Sequence, residues 1–183
     1  MGESRRVGNS VLRLERQDIT DFEVEAFVYY ARPDLALGAG FGGAIAKRGG
    51  PSIKSELDAI GRLEVTEAAV TGAGKMKARY IVHAVGPAFQ EENLESKLEA
   101  TIVNALKRAE EKGIRRLAFP LMGAGFYGVP LPLCTEIMIR ALCGHLARGS
   151  SLEEVIVCAN DAREYRAFQA GLDSLPDGRP GDK

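Results

Sequence analysis

The apolar residues of this 183-residue chain fall into two alternating patterns. Short runs rich in Val, Ile, Leu, Phe and Tyr are typical of buried β-strands. Six such strands are predicted, at residues 11–14, 25–30, 68–71, 80–85, 116–120 and 154–158. Between them lie longer segments whose apolar residues recur every three or four positions, as on one face of an α-helix. Strands that alternate with helices in this way predict a layered α/β domain.

The predicted helices occupy residues 41–48, 52–60, 94–112 and 133–146 and a final segment that runs to residue 175. Asn93 is predicted to cap the third helix at its N-terminus. Asp161 and Glu164 have the spacing of a capping box for the last helix. Because no internal repeat or linker interrupts the pattern, residues 1–175 are predicted to form one domain, followed by a polar and disordered tail at 176–183.

Composition and charge argue against several classes of function. The formal net charge is −1, which favours neither nucleic acid nor an anionic membrane as a partner. No apolar run approaches the ~20 residues of a membrane span, and the charged first residues do not predict a signal peptide. The cysteines and histidines (Cys134, Cys143, Cys158, His83 and His145) lack metal-ligand spacing. We therefore expect no metal or cofactor and a reducing, cytoplasmic compartment, with His83 as a core residue.

Two glycine-rich segments each follow a predicted strand and precede a helix. The first is Leu37-Gly38-Ala39-Gly40-Phe41-Gly42-Gly43, and the second is Gly123-Ala124-Gly125-Phe126-Tyr127-Gly128. The first matches the GxGxxG spacing of dinucleotide-binding loops. Glycine lets consecutive backbone N–H groups approach one anion, so two such loops at strand ends would hold a diphosphate between them. The alternative is that each segment is only a tight turn.

Several motifs, in order and spacing, resemble the macro domain family over about residues 10–172. The matching stretches are QDIT at 17–20, residues 38–45, VTGAG at 70–74, KARYIVHAVGP at 77–87 and FPLMGAGFYGVP at 119–130. The resemblance implies a three-layer α/β/α sandwich with a mixed sheet of six or seven strands. It also implies a ligand: ADP-ribose, free or attached to a protein, or a related nucleotide diphosphate.

The resemblance assigns roles to individual positions. Asp18 looks like the family's acidic residue that hydrogen-bonds the adenine amino group, with the Ile19 backbone beside it; the alternative is a turn or helix-cap aspartate. Residues 38–43 would contact the diphosphate and the distal ribose. Residues 123–127 would close over the other side of the diphosphate, with Phe126 against that ribose.

This chain departs from the family pattern where most members carry Asn-Ala-Ala-Asn. Here the residues are Tyr29, Tyr30, Ala31 and Arg32, which either reshape the pocket or close it. Arg32 could pair with a phosphate, or it is a solvated loop residue.

Two further positions depart from the family. Gly42 stands where hydrolytic members often have an aspartate. Ala159 and Asn160 stand where an aromatic residue often stacks on adenine.

Binding of ADP-ribose or a related nucleotide diphosphate is therefore the leading hypothesis. One alternative is a hydrolase that removes ADP-ribose from proteins or deacetylates O-acetyl-ADP-ribose, for which these departures predict weak activity or none. The other is a binder of poly(A) or single-stranded nucleic acid, against which the balanced charge argues.

Overall fold

The computed structural model describes residues 2–176 and is built around a mixed sheet of seven strands. In chain order these are β1 (Glu3–Val7), β2 (Ser10–Arg16), β3 (Ala26–Ala31), β4 (Ala68–Gly72), β5 (Tyr80–Val85), β6 (Arg116–Phe119) and β7 (Glu154–Ala159). Across the sheet the order is β1-β2-β7-β6-β3-β5-β4. The outer pairs β1–β2 and β4–β5 are antiparallel, and the neighbours between them are parallel.

Five α-helices cover the two faces of the sheet. They are α1 (Gly40–Gly49), α2 (Pro51–Ile60), α3 (Leu94–Glu111), α4 (Leu131–Ala147) and α5 (Ala162–Asp173). None of these helices combines the length and apolar character needed to cross a membrane; this holds for residues 2–176.

The core lies in two layers, one on each side of the sheet. On one side Ile45 of α1 and Ile53 of α2 are buried against Phe27. On the other side Leu98 of α3 and Phe168 of α5 are buried in a second cluster. The strand residues in this cluster alternate along the strands with those that face the first cluster. Both layers are necessary because every residue of β3 is buried, so this central strand has no face in contact with water. The predicted α/β/α sandwich with six or seven strands is confirmed.

One strand was not predicted. β1 is polar along most of its length (Glu-Ser-Arg-Arg-Val) and lies at the edge of the sheet, where charged residues are common. It pairs with β2 across a two-residue turn, since Val7 lies opposite Ser10. The turn residues are Gly8, with a φ of 58°, and Asn9, which is a typical hairpin signal.

The predicted caps are partly correct. Asn93 does not cap α3 with its side chain: it adopts a left-handed conformation, and its carbonyl accepts the backbone N–H of Lys97. Asp161 does cap α5 by accepting the Glu164 N–H at 2.8 Å. The Glu164 carboxylate accepts from the N–H of Asn160, one residue before the cap position. Of the predicted tail, residues 177–183 lie outside the described range.

Candidate functional site

The two glycine-rich segments meet because they follow neighbouring strands that run in the same direction. β3 and β6 are paired in parallel, so their carboxyl ends lie side by side at one edge of the sheet. After β3 the chain turns to α1 on one face, and after β6 it leads to α4 on the other. Connections that leave neighbouring strands toward opposite faces open a crevice between them, which is the usual ligand position in such sheets.

The crevice is a cavity of about 430 Å³, within the size range of small-molecule sites. It is lined by Tyr29, Tyr30, Arg32, Leu37, Gly38, Ala39, Gly40, Phe41, Gly42, Pro120, Leu121, Gly123, Ala124 and Tyr127. Residues from both glycine-rich segments therefore share one cavity. Among these lining residues the one formally charged side chain is Arg32.

In the first segment the backbone is exposed to the cavity where Gly38 and Gly40 have φ values of 62° and 60°. A Cβ at either position would have no other protein atom within 4 Å, so open space lies next to the backbone of both glycines. Gly40 also begins α1, and the first N–H groups of a helix have no carbonyl of that helix to bond. These N–H groups and the positive end of the helix dipole favour an anion.

Gly42 is required for a different reason. A Cβ at Gly42 would lie 1.7 Å from the Leu37 carbonyl oxygen and 2.5 Å from the Tyr29 hydroxyl. The first turn of α1 therefore packs against the backbone of the loop that precedes it. A larger residue at position 42 requires this loop to move.

Sulfur atoms of two buried side chains contact the backbone directly before the second segment. The backbone N–H of Met122 lies 3.2 Å from the sulfur of Met138, and the Cys134 thiol lies 2.9 Å from the Met122 carbonyl oxygen. Burial raises the pKa of Cys134 to about 12, so the thiol stays protonated and donates. Directly after this anchor, Gly123 turns the chain with a φ of 89°.

Tyr29 and Tyr30 line the cavity from the end of β3 and do not close it. The Tyr29 ring lies 5.0 Å from Phe41, and the Tyr30 ring lies 4.2 Å from Tyr127, measured between centroids. The Tyr30 hydroxyl donates to the Pro87 carbonyl oxygen, which fixes that ring. Burial raises the pKa of Tyr29 to about 12 and that of Tyr30 further, so both phenols are neutral.

Arg32 follows these tyrosines at the mouth of the cavity. Its guanidinium makes an ion pair with Asp34 at 2.9 Å, and both side chains are about half exposed, at 52% and 51%. Arg32 thus lines the cavity and is partly solvated, and its pairing with a phosphate stays a prediction. Its positive charge opposes the rise in the pKa of Tyr29 and of Tyr127 that burial causes.

Asp18 lies beyond the carboxyl end of β2 and caps a short 3-10 helix at Ile19–Asp21. One carboxylate oxygen accepts the backbone N–H and the hydroxyl of Thr20, at 2.9 and 2.7 Å. The other oxygen lies 3.5 Å from Arg48. The Thr20 hydroxyl is the main cause of a lowered pKa at Asp18, so the carboxylate is ionised at neutral pH.

Some predicted site residues lie outside the cavity lining. Asp18 and Ile19 lie at the end of β2, on the far side of β7 and β6 from β3. Gly43 lies in the first turn of α1 with its Cβ direction toward the Gly38 carbonyl oxygen, and Gly125 adjoins the lining residue Ala124. The side chain of Phe126 lies outside the described part of the chain. For these positions the ligand roles remain predictions.

Sequence reasoning assigned no ligand role to Leu37, Pro120 and Leu121, which also line the cavity. Pro120 and Leu121 follow β6 directly, and this position at a strand end is the signal that could have identified them. Leu37 begins the first glycine-rich segment but does not lie directly at a strand end. Its carbonyl becomes important only because Gly42 packs against it.

His83 is a core residue, as expected. It is 1% exposed, and its Nε2 lies 2.8 Å from the Thr71 hydroxyl oxygen. Burial lowers its pKa to about 4, so the imidazole is neutral. Within residues 2–176 no three His, Cys, Asp or Glu side chains are grouped closely enough to hold a metal ion.

Comparison with known proteins relates this chain to one family. The family model described as Macro domain matches residues 31–138. A protein of Saccharolobus solfataricus is 37% identical over 166 residues, which cover 88% of this chain and 92% of the relative. The O-acetyl-ADP-ribose deacetylase 2 of Pantoea vagans is 33% identical over 157 residues, which cover 82% of this chain and 92% of that enzyme.

Solved structures have the same architecture. The Oceanobacillus iheyensis macrodomain with ADP matches with a TM-score of 0.89 at 24% identity, covering 94% of this chain and 95% of that one. The Trypanosoma brucei macrodomain in complex with ADP-ribose matches with a TM-score of 0.82 at 26% identity, covering 88% and 68%. Since the family model, the relatives and the fold agree, this chain belongs to the macro domain family.

Proposed function

We propose that the cleft binds ADP-ribose, free or attached to a protein. The observation that carries the proposal is that both glycine-rich segments line one cavity of about 430 Å³ at the carboxyl ends of β3 and β6. The similar Trypanosoma brucei macrodomain, which binds ADP-ribose in its solved structure, supports the choice of ligand.

The diphosphate is assigned to the first turn of α1. Gly40 lines the cavity at the N-terminus of α1, and no carboxylate belongs to the described lining. An anion there gains charge-assisted hydrogen bonds without a repulsive neighbour. Asp18 is assigned to the adenine amino group, because its ionised carboxylate accepts from an exocyclic amine.

Calorimetric titration with ADP-ribose tests the proposal. We expect a dissociation constant of the order of 1 µM, about 8 kcal/mol of binding free energy. The variant Gly38→Glu places a carboxylate in the cavity and should abolish binding. Gly113→Glu is the matched control, because Gly113 also has a positive φ and open space but lies after α3. Absence of heat and of any thermal shift with wild-type protein at millimolar ADP-ribose would overturn the assignment.

A second candidate function is deacetylation of O-acetyl-ADP-ribose, favoured by the 33% identity to the Pantoea vagans deacetylase. The lining argues for slow turnover, since none of its described residues carries a carboxylate, an imidazole or an aliphatic hydroxyl that could act on water. Position 42 has no room for the aspartate of hydrolytic members, because even a Cβ would collide with Leu37. Turnover above about 1 s⁻¹ on O-acetyl-ADP-ribose would favour the enzyme over the binding module.

A further inference from the structure

The end of the cleft next to β3 has two aromatic walls. Tyr29 and Tyr30 are consecutive strand residues, so their side chains leave opposite faces of the sheet. Each pairs with an aromatic ring of a different loop: Tyr29 with Phe41 of the first, and Tyr30 with Tyr127 of the second. Because all four residues line one cavity, the two ring pairs bound the same space from its two sides.

Among the described side chains that line this end, only Arg32 carries a formal charge. The guanidinium of Arg32 has five N–H groups and no acceptor. The Tyr29 hydroxyl donates to the Leu37 carbonyl oxygen at 3.4 Å, and the phenols of Tyr29 and Tyr127 are neutral, because burial raises the pKa of both. Since the described lining holds Arg32 and no carboxylate, the ligand group that pairs with Arg32 is a hydrogen-bond acceptor, and its favoured charge is negative.

Arg32 retains donors for a ligand although it pairs with Asp34. One nitrogen, Nη2, makes the ion pair at 2.9 Å, and a guanidinium can engage other groups with its remaining N–H bonds. The positive charge of Arg32 opposes the rise in the pKa of both Tyr29 and Tyr127, and the negative charge of Asp34 adds to the rise at Tyr127. Arg32 therefore lies close enough to both aromatic walls to interact with them electrostatically.

We propose that Arg32 and the two aromatic walls select a ligand that carries an aromatic carboxylate beyond its second ribose. The flat ring would stack between the walls, and the carboxylate would pair with Arg32. A bare ribose is a poorer fit, because it is not planar and its hydroxyl protons find no carboxylate in the described lining. This inference rests on the proposed function, in which the nucleoside diphosphate part occupies the glycine-rich segments.

The experiment compares two dinucleotides of nearly equal shape. Nicotinic acid adenine dinucleotide carries a carboxylate on the ring, and nicotinamide adenine dinucleotide carries a neutral amide at the same position. Calorimetry is expected to show about tenfold tighter binding of the carboxylate form, the low end for a charged hydrogen bond, because Arg32 is half exposed. ADP and ADP-ribose are titrated alongside.

Variants assign the preference to residues. Arg32→Gln should bring the affinity ratio of the two dinucleotides close to one. Arg62→Gln is the matched control, since Arg62 forms the same kind of exposed pair with Glu64, two residues on, away from the cleft lining. Tyr127→Leu should weaken both dinucleotides relative to ADP, because it removes one aromatic wall.

The outcomes separate this inference from the function on which it rests. Binding of ADP-ribose without preference between the dinucleotides overturns the inference and leaves the proposed function intact. A preference that persists in Arg32→Gln overturns the role of Arg32. Failure of all four nucleotides to bind overturns both proposals.

Discussion

At Asp18 the two carboxylate oxygens have different partners. One accepts hydrogen bonds from the backbone N–H and the hydroxyl of Thr20. The other lies 3.5 Å from Arg48 in a partly solvent-exposed ion pair. The first oxygen serves the 3-10 helix as an N-cap. The second is the one that an adenine amino group would reach, and Arg48 would then have to share it.

Two substitutions at position 18 separate these roles. Asp18→Asn keeps a good N-cap but presents an amide in place of the second oxygen, so we expect near-normal stability and weaker binding of adenine nucleotides. Asp18→Ala should lose both the N-cap and the acceptor for adenine. We expect the free energy of unfolding to fall by about 1 kcal/mol and the affinity for adenine nucleotides to fall roughly 10- to 150-fold. Chemical denaturation and calorimetry measure the two effects. Unchanged affinity in Asp18→Asn would show that Asp18 only caps the helix.

The buried imidazole of His83 links stability to pH. Its pKa is about 4 in the folded protein, below the ordinary value of about 6.5. Between these pH values the unfolded chain binds the proton more readily than the folded protein does. The free energy of unfolding should therefore fall as the pH decreases from about 6.5 to 4. Above pH 6.5 the stabilising contribution of His83 should be fully present. The contribution is about 3 kcal/mol at most.

Urea denaturation across this pH range tests the role of His83. His83→Gln should flatten the dependence above pH 4.5, whatever it does to stability at pH 7. His145→Gln is the control, because His145 forms a partly buried pair with Glu110, away from His83, and its replacement leaves the His83 contribution in place. An equal slope in wild type and His83→Gln would contradict the assignment.

At the scale of the elements, the packing of α1 leaves no space for a side chain at Gly42. Gly42 lies in its first turn, where a Cβ would overlap the Leu37 carbonyl oxygen. We expect Gly42→Ala to lower the free energy of unfolding by about 1–3 kcal/mol, since the loop must shift, and to weaken ADP-ribose binding.

The control is a glycine in another helix. Gly144 lies in α4, is exposed, and a Cβ there would meet no atom within 4 Å. Gly144→Ala should therefore raise the free energy of unfolding by about 0.5–1 kcal/mol, because alanine favours the helix. Thermal and urea unfolding of both variants give the comparison, and equal effects would mean that Gly42 has more space than its Cβ position indicates.

Elements with a clear hydrophobic period were predictable from the sequence, and those without it were not. α3 and β5 have apolar residues on a regular face and were placed within one residue of their observed ends. β1 lies at an edge and has little apolar surface to signal it. Asn93 has the chemistry of a cap, but its left-handed backbone conformation turns the side chain away from that role, which local sequence does not reveal.

The site was predictable in outline because glycine spacing is a local signal. The shared cavity was not, since it depends on β3 and β6 being neighbours, a pairing between distant parts of the chain. The same holds for Tyr30 and Tyr127, whose rings pack against each other in the wall of that cavity. Sequence alone left open whether these residues close the pocket.

For the whole molecule, ligand binding should raise the melting temperature. A ligand that binds only the folded state contributes about 2.7 kcal/mol at a concentration one hundred times its dissociation constant. In a domain of 150–250 residues this corresponds to a rise of about 5–10 °C. Differential scanning fluorimetry with ADP-ribose measures it. Gly38→Glu is expected to show no rise, and a rise equal to that of wild type would contradict the diphosphate assignment.

The parallel pairing of β2 with β7 determines when the binding site can form during synthesis. Val11 lies opposite Glu154, and the N–H of Gln17, one residue before Asp18, bonds to the carbonyl of Ala159 at 3.1 Å. The ribosome releases β2 long before β7, so Asp18 in the nascent chain lacks the support of β7 until nearly the whole domain has emerged. Nucleotide therefore cannot guide the early steps of co-translational folding through its base. It can stabilise the domain only once the final strand is in place.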